Sequence, residues 1–475
     1  METLQTPGKF DWKPFIRSVL LIATPVALQN LLTTTGSMVD TMMIAPLGEA
    51  SVGALGLCAQ FSSLLFSCYW GFIGGGMLFM SQYWGAKDHD GIDRAYGTTI
   101  TCMFVISLIF AGLAIFAPGF VMNVYTDKTV FHEIGIQYLR IVGFAYPLQI
   151  ISTGMSALLR TTEKVRIPLV GSLVSVATNF IFNLILINGY LGFPALGVRG
   201  AAMATVIAAI VNVLVIVLLA KRTHYPYLFH FKKHFRWTGT WLRRYFTKCF
   251  PIICNELFIG IGNMVINVVL GRQSARAVAA ISVFRTLEGF VIAFFMGFSI
   301  AASVLVGKCV GSGKLMTAYE RAKRLVPMCA GVILIVCLLL LAIHEPLLQA
   351  MSLSGESLEI GTGLLIIYCF AAVIRMSNWT QNDTYRASGD STFGTVLEII
   401  FMYVLVLPCV CVSGLVFELP VLAVFACCFI DEPIRFILMQ IHLYSGKWIK
   451  PVTPEGRAAL PAFREELDRK RHHKK

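Results

Sequence analysis

The sequence predicts an all-α integral membrane protein: twelve transmembrane helices forming two six-helix bundles, related by a pseudo-two-fold axis along the membrane normal. Three observations carry this. The residues AVILMFWYC make up 56% of the chain and DEKR only 14%, against about 45–50% and about 25% in ordinary soluble domains. Apolar stretches of about 20 residues, the length that crosses a hydrocarbon core, recur from end to end. The chain also matches itself without a gap, residue n facing n + 226 from Pro25 through Gly85.

Twelve spans follow in order, at about 17–40, 51–80, 95–118, 133–159, 167–189, 197–220, 246–271, 277–307, 325–344, 358–386, 392–413 and 416–441. Segments this long, interrupted by Gly and Pro and lacking strict apolar alternation, read as helices. In lipid each backbone must satisfy its own hydrogen bonds, and a barrel would alternate. The polar start, Met1 to Phe10, has no cleavable-signal pattern, so the first apolar run is expected to remain as a span.

Lys and Arg gather on one side: Lys9, Lys13 and Arg17 before span 1, Lys87 and Arg94 after span 2, and Arg160, Lys164 and Arg166 after span 4. The connection Lys221 to Lys248 adds eight more, the loop after span 8 carries Lys308 to Arg324, and Arg386 follows span 10. The opposite loops hold only Lys128, Arg199, Arg272 and Arg276. Both termini and the central connection are therefore expected in the cytoplasm of a multi-pass cell-membrane protein. The same placement explains the net charge of +13 by orientation rather than by nucleic-acid binding, which would need a folded basic face. The tail Arg457 to Lys475 carries seven Lys/Arg and could meet anionic headgroups. The thirteen cysteines are scattered through spans, without zinc or disulfide spacing.

In the duplication Pro25 faces Pro251, Gly36 faces Gly262, Met38-Val39 faces Met264-Val265, Gly71-Phe72 faces Gly297-Phe298, Gly85 faces Gly311, and Arg160 still meets Arg386. Six spans per repeat is even, so both halves enter from the same side, a design used by secondary transporters with two rocking bundles. The implied organisation is an amino-terminal lobe 1–221, a basic linker 222–245, a carboxyl-terminal lobe 246–441 and a basic tail 442–475.

The order of several short motifs resembles the MATE (multidrug and toxic compound extrusion) transporters. They are Pro25 and Gln29, Val39-Asp40-Thr41 followed by Leu47-Gly48, the run Ser81 to Asp88, Leu159-Arg160, Asn179 and Asn183, Gly200 to Thr205, and Arg386 to Asp390. The likeness covers about residues 14 to 450. It implies an antiporter that exports organic, cationic or amphipathic compounds in exchange for inward proton or sodium flow, and no bound cofactor. Alternatives are a major facilitator protein, which lacks support in Gly85 to Asp90, and a lipid-linked substrate flippase, which usually has fourteen spans. An enzyme or a channel has less behind it: no HExxH occurs, and Gly311-Ser312-Gly313-Lys314-Leu315 only imitates a nucleotide loop. The expected partners are a small-molecule substrate and the bilayer, with the chain a monomer.

Ionisable residues at bilayer depth are functional candidates by default. Asp40 stands alone in span 1. Asn179 and Asn183 follow each other at i, i+4 on span 5, and Thr205 lies on span 6. A carboxylate with amide and hydroxyl oxygens suits a proton or a small hard cation such as sodium, the only metal expected. Family resemblance implies that coupling role for Asp40, Asn179, Asn183 and Thr205. The plainer alternative is interhelical hydrogen bonding. Pro25 permits a kink in span 1, either static or linked to coupling. In the second half Asp40 is replaced by Ile266, while Glu256, Arg375, Glu398, Asp431, Glu432 and Arg435 share mid-membrane to cytoplasmic depth. Glu256 with Arg375 is expected as a gating or structural ion pair, with Glu398 nearby, and Arg285 with Glu288 as a local pair. Gln29, Thr33, Thr34, Met38 and Tyr138 are candidate cavity-lining residues, against ordinary packing.

Overall fold

The computed structural model describes residues 10–126, 128–351 and 353–472, and these form helices and turns with no strand. Lys9, most of the polar start and the last residues of the basic tail lie outside the described residues. The amino-terminal half contains α1 (Trp12–Ile44), α2 (Glu49–Ala86), α3 (His89–Phe116), α4 in two segments (Thr129–Val142 and Ala145–Thr161), α5 (Arg166–Asn188) and α6 (Val198–Arg222). The second half contains α7 (Gly239–Gly271), α8 (Ala275–Gly311), α9 (Leu315–Ala342), α10 (Glu356–Ala387), α11 (Phe393–Val416) and α12, again in two segments (Val421–Cys427 and Glu432–Ser445).

Among the described residues ten helices are long and apolar enough to cross a membrane, and the two segments of α4, bent by 50°, make an eleventh span. The twelfth expected span, 416–441, is broken. Its turn at residues 428–431 lies beside Asp431 and Glu432, with Pro433 opening the second segment. A backbone interrupted at depth is tolerated where it faces protein and polar partners, and Arg435 and Arg375 supply those partners. In α11 two π turns, Met402–Val406 and Val412–Val416, flank Pro408, whose missing N–H breaks the regular ladder. Several helices outrun their apolar cores. The 33 residues of α1 reach about 50 Å, beyond the hydrocarbon thickness of about 30 Å.

The halves meet through a reciprocal crossing in which α1 packs along α8, α7 packs along α2, and α2 meets α8. The repeated glycines explain the closeness. A Cβ at Gly71 would stand 2.6 Å from the Ile253 Cα, and one at its duplicate Gly297 would stand 2.8 Å from the Ala27 backbone nitrogen. Nearer the termini Gly85 lies against the Lys308 carbonyl and Gly311 against the Gln82 carbonyl. In each pair only a residue without a Cβ lets the backbones approach, and each contact is the other moved by 226 residues.

The face carrying both termini is well tied. The connection between halves folds back on α3, with the His230 Nδ1 2.8 Å from Asp93 Oδ2 and the Trp241 indole donating to Thr98. After α12 the chain runs across this face. The Gln82 amide donates to the Ala387 carbonyl and accepts from the Val452 N–H, both at 2.8 Å. A final helix, α13 (Pro454–His472), buries Phe463 and Leu467, with Phe463 against Tyr319 of α9, and leaves its basic side chains exposed.

Candidate functional site

Two polar centres lie inside the bundle, one in each half. In the first, Asp40 sits near the end of α1 remote from the termini and is half-buried. Asn183 of α5 donates through Nδ2 to Asp40 Oδ1 at 2.7 Å and to Asn179 Oδ1 at 3.1 Å. Its own Oδ1 is buried with no partner. Helical spacing stacks Asn179 and Asn183 on one face of α5, so three of the four expected residues come together here. Thr205 bonds the Ala201 carbonyl of its own helix at 3.0 Å, with the Tyr138 hydroxyl beside it. Carboxylate and amide oxygens thus share one region, oxygen donors of the kind that suits a proton or a sodium ion, while the Thr205 hydroxyl is spent on its own helix.

Deeper along α1, Gln29 is buried rather than open to a cavity. Its Nε2 donates to Ser172 Oγ at 2.8 Å and its Oε1 accepts from Arg160 at 2.7 Å. Arg160 is therefore a buried lobe residue, not the loop charge expected from its position after span 4. Thr33 bonds the Gln29 carbonyl at 2.9 Å, Thr34 is half-buried, and Met38 is exposed. Pro25 lies within an α1 that continues through it as one helix.

The second centre is a cavity of about 600 Å³ whose wall is mostly carboxyl-terminal lobe, closed on one side by Trp70, Ile73, Gly74, Met77 and Leu78 of α2. None of Gln29, Thr33, Thr34, Met38 and Tyr138 lines it. Glu256 and Arg375 both do, but they are not paired with each other. Glu256 meets Arg386 at 3.2 Å, whereas Arg375 meets Glu288 at 3.2 Å and Glu432 at 3.8 Å. The expected pair failed because Arg375 and Arg386, eleven residues or about three turns apart, share a face of α10 but are separated by about 16 Å along its axis, and Glu256 is level with Arg386. Glu288 also takes Arg285 at 2.6 Å, the local pair expected on α8. Arg435 joins Glu432 at 2.9 Å, Asp431 at 3.5 Å and Glu398 at 3.6 Å. Glu398 accepts from Asn255 at 3.1 Å and Asn382 at 3.2 Å.

Sequence reasoning missed Asp383, which lies 3.7 Å from Arg386 and accepts from Ser299. The signal was there: an acid three residues before an arginine at the end of span 10 is an i, i+3 pair. Arg386 was read as a loop charge, but it occupies the last turn of α10 with its side chain 12% exposed.

The lobes carry these centres on a shared frame. Asp40 and Asn183 are separated by 143 residues, as are Gln29 and Ser172, and as are Asn255 and Glu398 of the second lobe. The α1–α5 register is thus repeated by α7–α11. Adding 226 turns Gln29 into Asn255 and Ser172 into Glu398, while Asp40 becomes Ile266 and Asn183 becomes Cys409.

Outside the membrane-crossing segments the turn after α10 holds Asp390. Burial there opposes ionisation, yet His442 and Lys450, both 3.0 Å away, hold its carboxyl below the ordinary value.

Comparison with known proteins gives one consistent result. The MatE family model matches residues 25–185 and again 251–412, so its two matches begin 226 residues apart. A probable multidrug resistance protein, YoeA, from Bacillus subtilis (strain 168) is 25% identical over 458 residues, covering 94% of this chain and 96% of that protein. The multidrug export protein MepA of Staphylococcus haemolyticus is 21% identical over 392 residues, 82% and 85% of the two chains. Among solved structures, a MATE protein in complex with MaL6 superposes with a TM-score of 0.81 at 16% identity, covering 91% and 97%. An outward-facing multidrug resistance MATE family transporter of the MOP superfamily gives 0.79 at 16% identity, covering 93% and 100%.

Proposed function

The chain belongs to the MatE family, whose members are multidrug efflux transporters, and on that premise we propose that it is an antiporter exporting organic, cationic or amphipathic compounds. Inward flow of protons or sodium ions drives the export through alternating access of the two lobes. Family membership makes it a multi-pass transporter of small molecules rather than an enzyme and sets aside the major-facilitator alternative. In this reading both termini face the cytoplasm, the protein acts as a monomer, and no cofactor takes part.

The observation that carries the coupling role is the pairing of Asp40 with Asn183 in a register whose duplicate holds Ile266 and Cys409. The scaffold does not require an acid at this place, so the acid serves something other than packing. Loading a proton on Asp40, or a sodium ion among Asp40, Asn179, Asn183 and Thr205, neutralises the one carboxylate on this face of α1. The charge state alters how α1 and α5 pack, and α1 transmits the change to α8, its partner across the lobe interface. Pro25, between Asp40 and the terminal end of α1, is where such a change can bend the helix. The cargo route runs through the charged cavity between α2 and the second lobe.

Purified protein in liposomes tests this directly. An imposed inward proton or sodium gradient should drive export of a fluorescent organic cation, with one ion effective and the other idle. Export under neither gradient would overturn the antiport reading.

A further inference from the structure

The connection between α6 and α7, residues 223–238, has two unlike sides. Its inner side is tied to the amino-terminal lobe: the Tyr225 and Thr162 hydroxyls are 2.7 Å apart and His230 Nδ1 is 2.8 Å from Asp93 Oδ2. A further bond, His234 Nε2 to the Tyr227 carbonyl at 2.8 Å, braces it internally. Its outer side presents phenyl rings. Phe229 is 37% exposed, and Phe231 and Phe235, one helical turn apart, are 64% and 62% exposed. A segment held by one side in this way does not expose three rings for want of packing, and grouped apolar side chains on a surface mark a place of contact.

The depth of these rings follows from α3. From Ala95 to Phe116 that helix carries no charged side chain, a run of about 33 Å and so close to one hydrocarbon thickness of about 30 Å. The connection lies against the beginning of the run. His230 meets Asp93 just before it, the His234 carbonyl lies against Gly97, and the Trp241 indole at the start of α7 donates to Thr98 at 3.0 Å. The rings therefore stand at the level where headgroups give way to acyl chains.

Charge names what meets them. Between Lys221 and Asn255 there is no Asp or Glu. Lys232 and Arg236, each next in sequence to an exposed ring, are exposed and enter no ion pair among the described residues, whereas Lys233 is taken by Asp90 at 2.9 Å. Orientation in the membrane accounts for positive charge on this side, but not for the rings set between the charges. Aromatic rings at the acyl boundary with cations beside them are the composition of a segment that lies in the membrane surface. The described ends of the chain are placed elsewhere: Phe10 lies on Arg324 and Phe463 of α13 on Tyr319, both on α9 of the other half.

We propose that this connection is a lipid-binding element whose partner is anionic phospholipid in the leaflet on the side of the termini. Phe229, Phe231 and Phe235 enter the leaflet at the headgroup boundary, and Lys232 and Arg236 take phosphate oxygens. The connection then buttresses the amino-terminal lobe against the bilayer through α3, in addition to joining the lobes.

Photo-crosslinking of the full chain in nanodiscs of mixed phosphatidylcholine and phosphatidylglycerol tests this. With p-benzoylphenylalanine in place of Phe231, mass spectrometry should find covalent lipid adducts in which phosphatidylglycerol is enriched about fivefold over its share of the bilayer, the scale of one basic contact. The same group in place of Phe116, 87% exposed at the other end of α3, should sample the two lipids at their bulk ratio. Lys232→Gln together with Arg236→Gln should return the ratio at position 231 to bulk while lipid adducts persist. Adducts at 231 to protein, from a second copy or from the chain's own ends, overturn the proposal, as does the absence of adducts or an equal lipid ratio at 231 and 116. Enrichment that survives the double substitution overturns the role of the two cations. If that variant does not fold, the comparison of 231 with 116 in the chain with its charges intact decides alone. Export plays no part in the readout, so this inference and the efflux reading stand or fall separately.

Discussion

The two lobes share a frame and differ in what they hang on it. The α1–α5 pairing and the α7–α11 pairing use the same separation of 143 residues. In the amino-terminal lobe that register carries one carboxylate, and the buried Arg160 is held by a neutral amide, Gln29. In the other lobe the matching arginine, Arg386, faces Glu256 and Asp383, which stand where the first lobe has Asn30 and Ala157. Glu288, Arg375 and Glu398 likewise replace Ser62, Gln149 and Ser172. Duplication thus fixed the backbone geometry and left electrostatics free to diverge, so that one lobe holds a lone carboxylate apart from its arginine and its twin holds a network of paired charges.

The largest effect should come from the lone charge. We predict that Asp40→Asn reduces gradient-driven export in liposomes to background while the melting temperature stays near that of the unaltered chain. Retained export would move coupling to the other lobe and erase the functional contrast. Next come the duplicated arginines. Arg386→Gln strands two acids and should destabilise by about 3–5 kcal/mol, whereas Arg160→Gln leaves only neutral groups and should cost about 1–3 kcal/mol. Denaturant unfolding of the two variants in detergent would measure the gap, and equal losses would mean the networks are energetically alike.

The shared register can be tested by transplantation. Ile266→Asp should cost up to about 3 kcal/mol, the scale of a charged residue at the bilayer centre. Adding Cys409→Asn should recover about 1 kcal/mol in a double-mutant cycle. No recovery would mean that α7 and α11 do not repeat the Asp40–Asn183 geometry.

The smallest effect concerns Asp390, whose carboxyl in the folded protein lies below its ordinary value of 3.8. A depressed carboxyl contributes stability above the unfolded value and loses it as pH falls through the folded one. Asp390→Asn should therefore cost about 1 kcal/mol at neutral pH and progressively less as pH drops below about 4. A loss independent of pH would assign the effect to packing.

The helical membrane fold was legible because its cause is written locally. Lipid demands about 20 apolar residues per crossing, and the 226-residue repeat survives in glycines that only close backbone contact explains. Asp40 with Asn179 and Asn183 was legible for a related reason: a polar residue in an apolar span is visible, and i, i+4 spacing gives a common face. The second site was only partly so. Its acids and arginines were mostly visible, but their partners depend on how far each helix is shifted along its axis relative to its neighbours. Thus Glu256 found Arg386 rather than Arg375. The break in α12 was hidden too, because the depth shared by Asp431 and Glu432 with Arg375 and Arg435 tells of pairing but not of the backbone turn at 428–431 that accompanies it.

The glycine crossings described earlier have a mechanical consequence. Gly85 with Gly311 hold the crossing of α2 on α8 near the termini, while Gly71 on α7 and Gly297 on α1 hold a symmetric pair of crossings further in, and at each of them backbone rides directly on backbone. Under the alternating access proposed above they would serve as alternative fulcra for rigid levers. With helices about 50 Å long, a swing of about 10° about the outer pair moves the far ends by about 9 Å. Shifting the pivot to the inner pair shortens that arm and lets the terminal ends part instead. Which side of the molecule opens is then a question of which pair of glycines bears the turning moment.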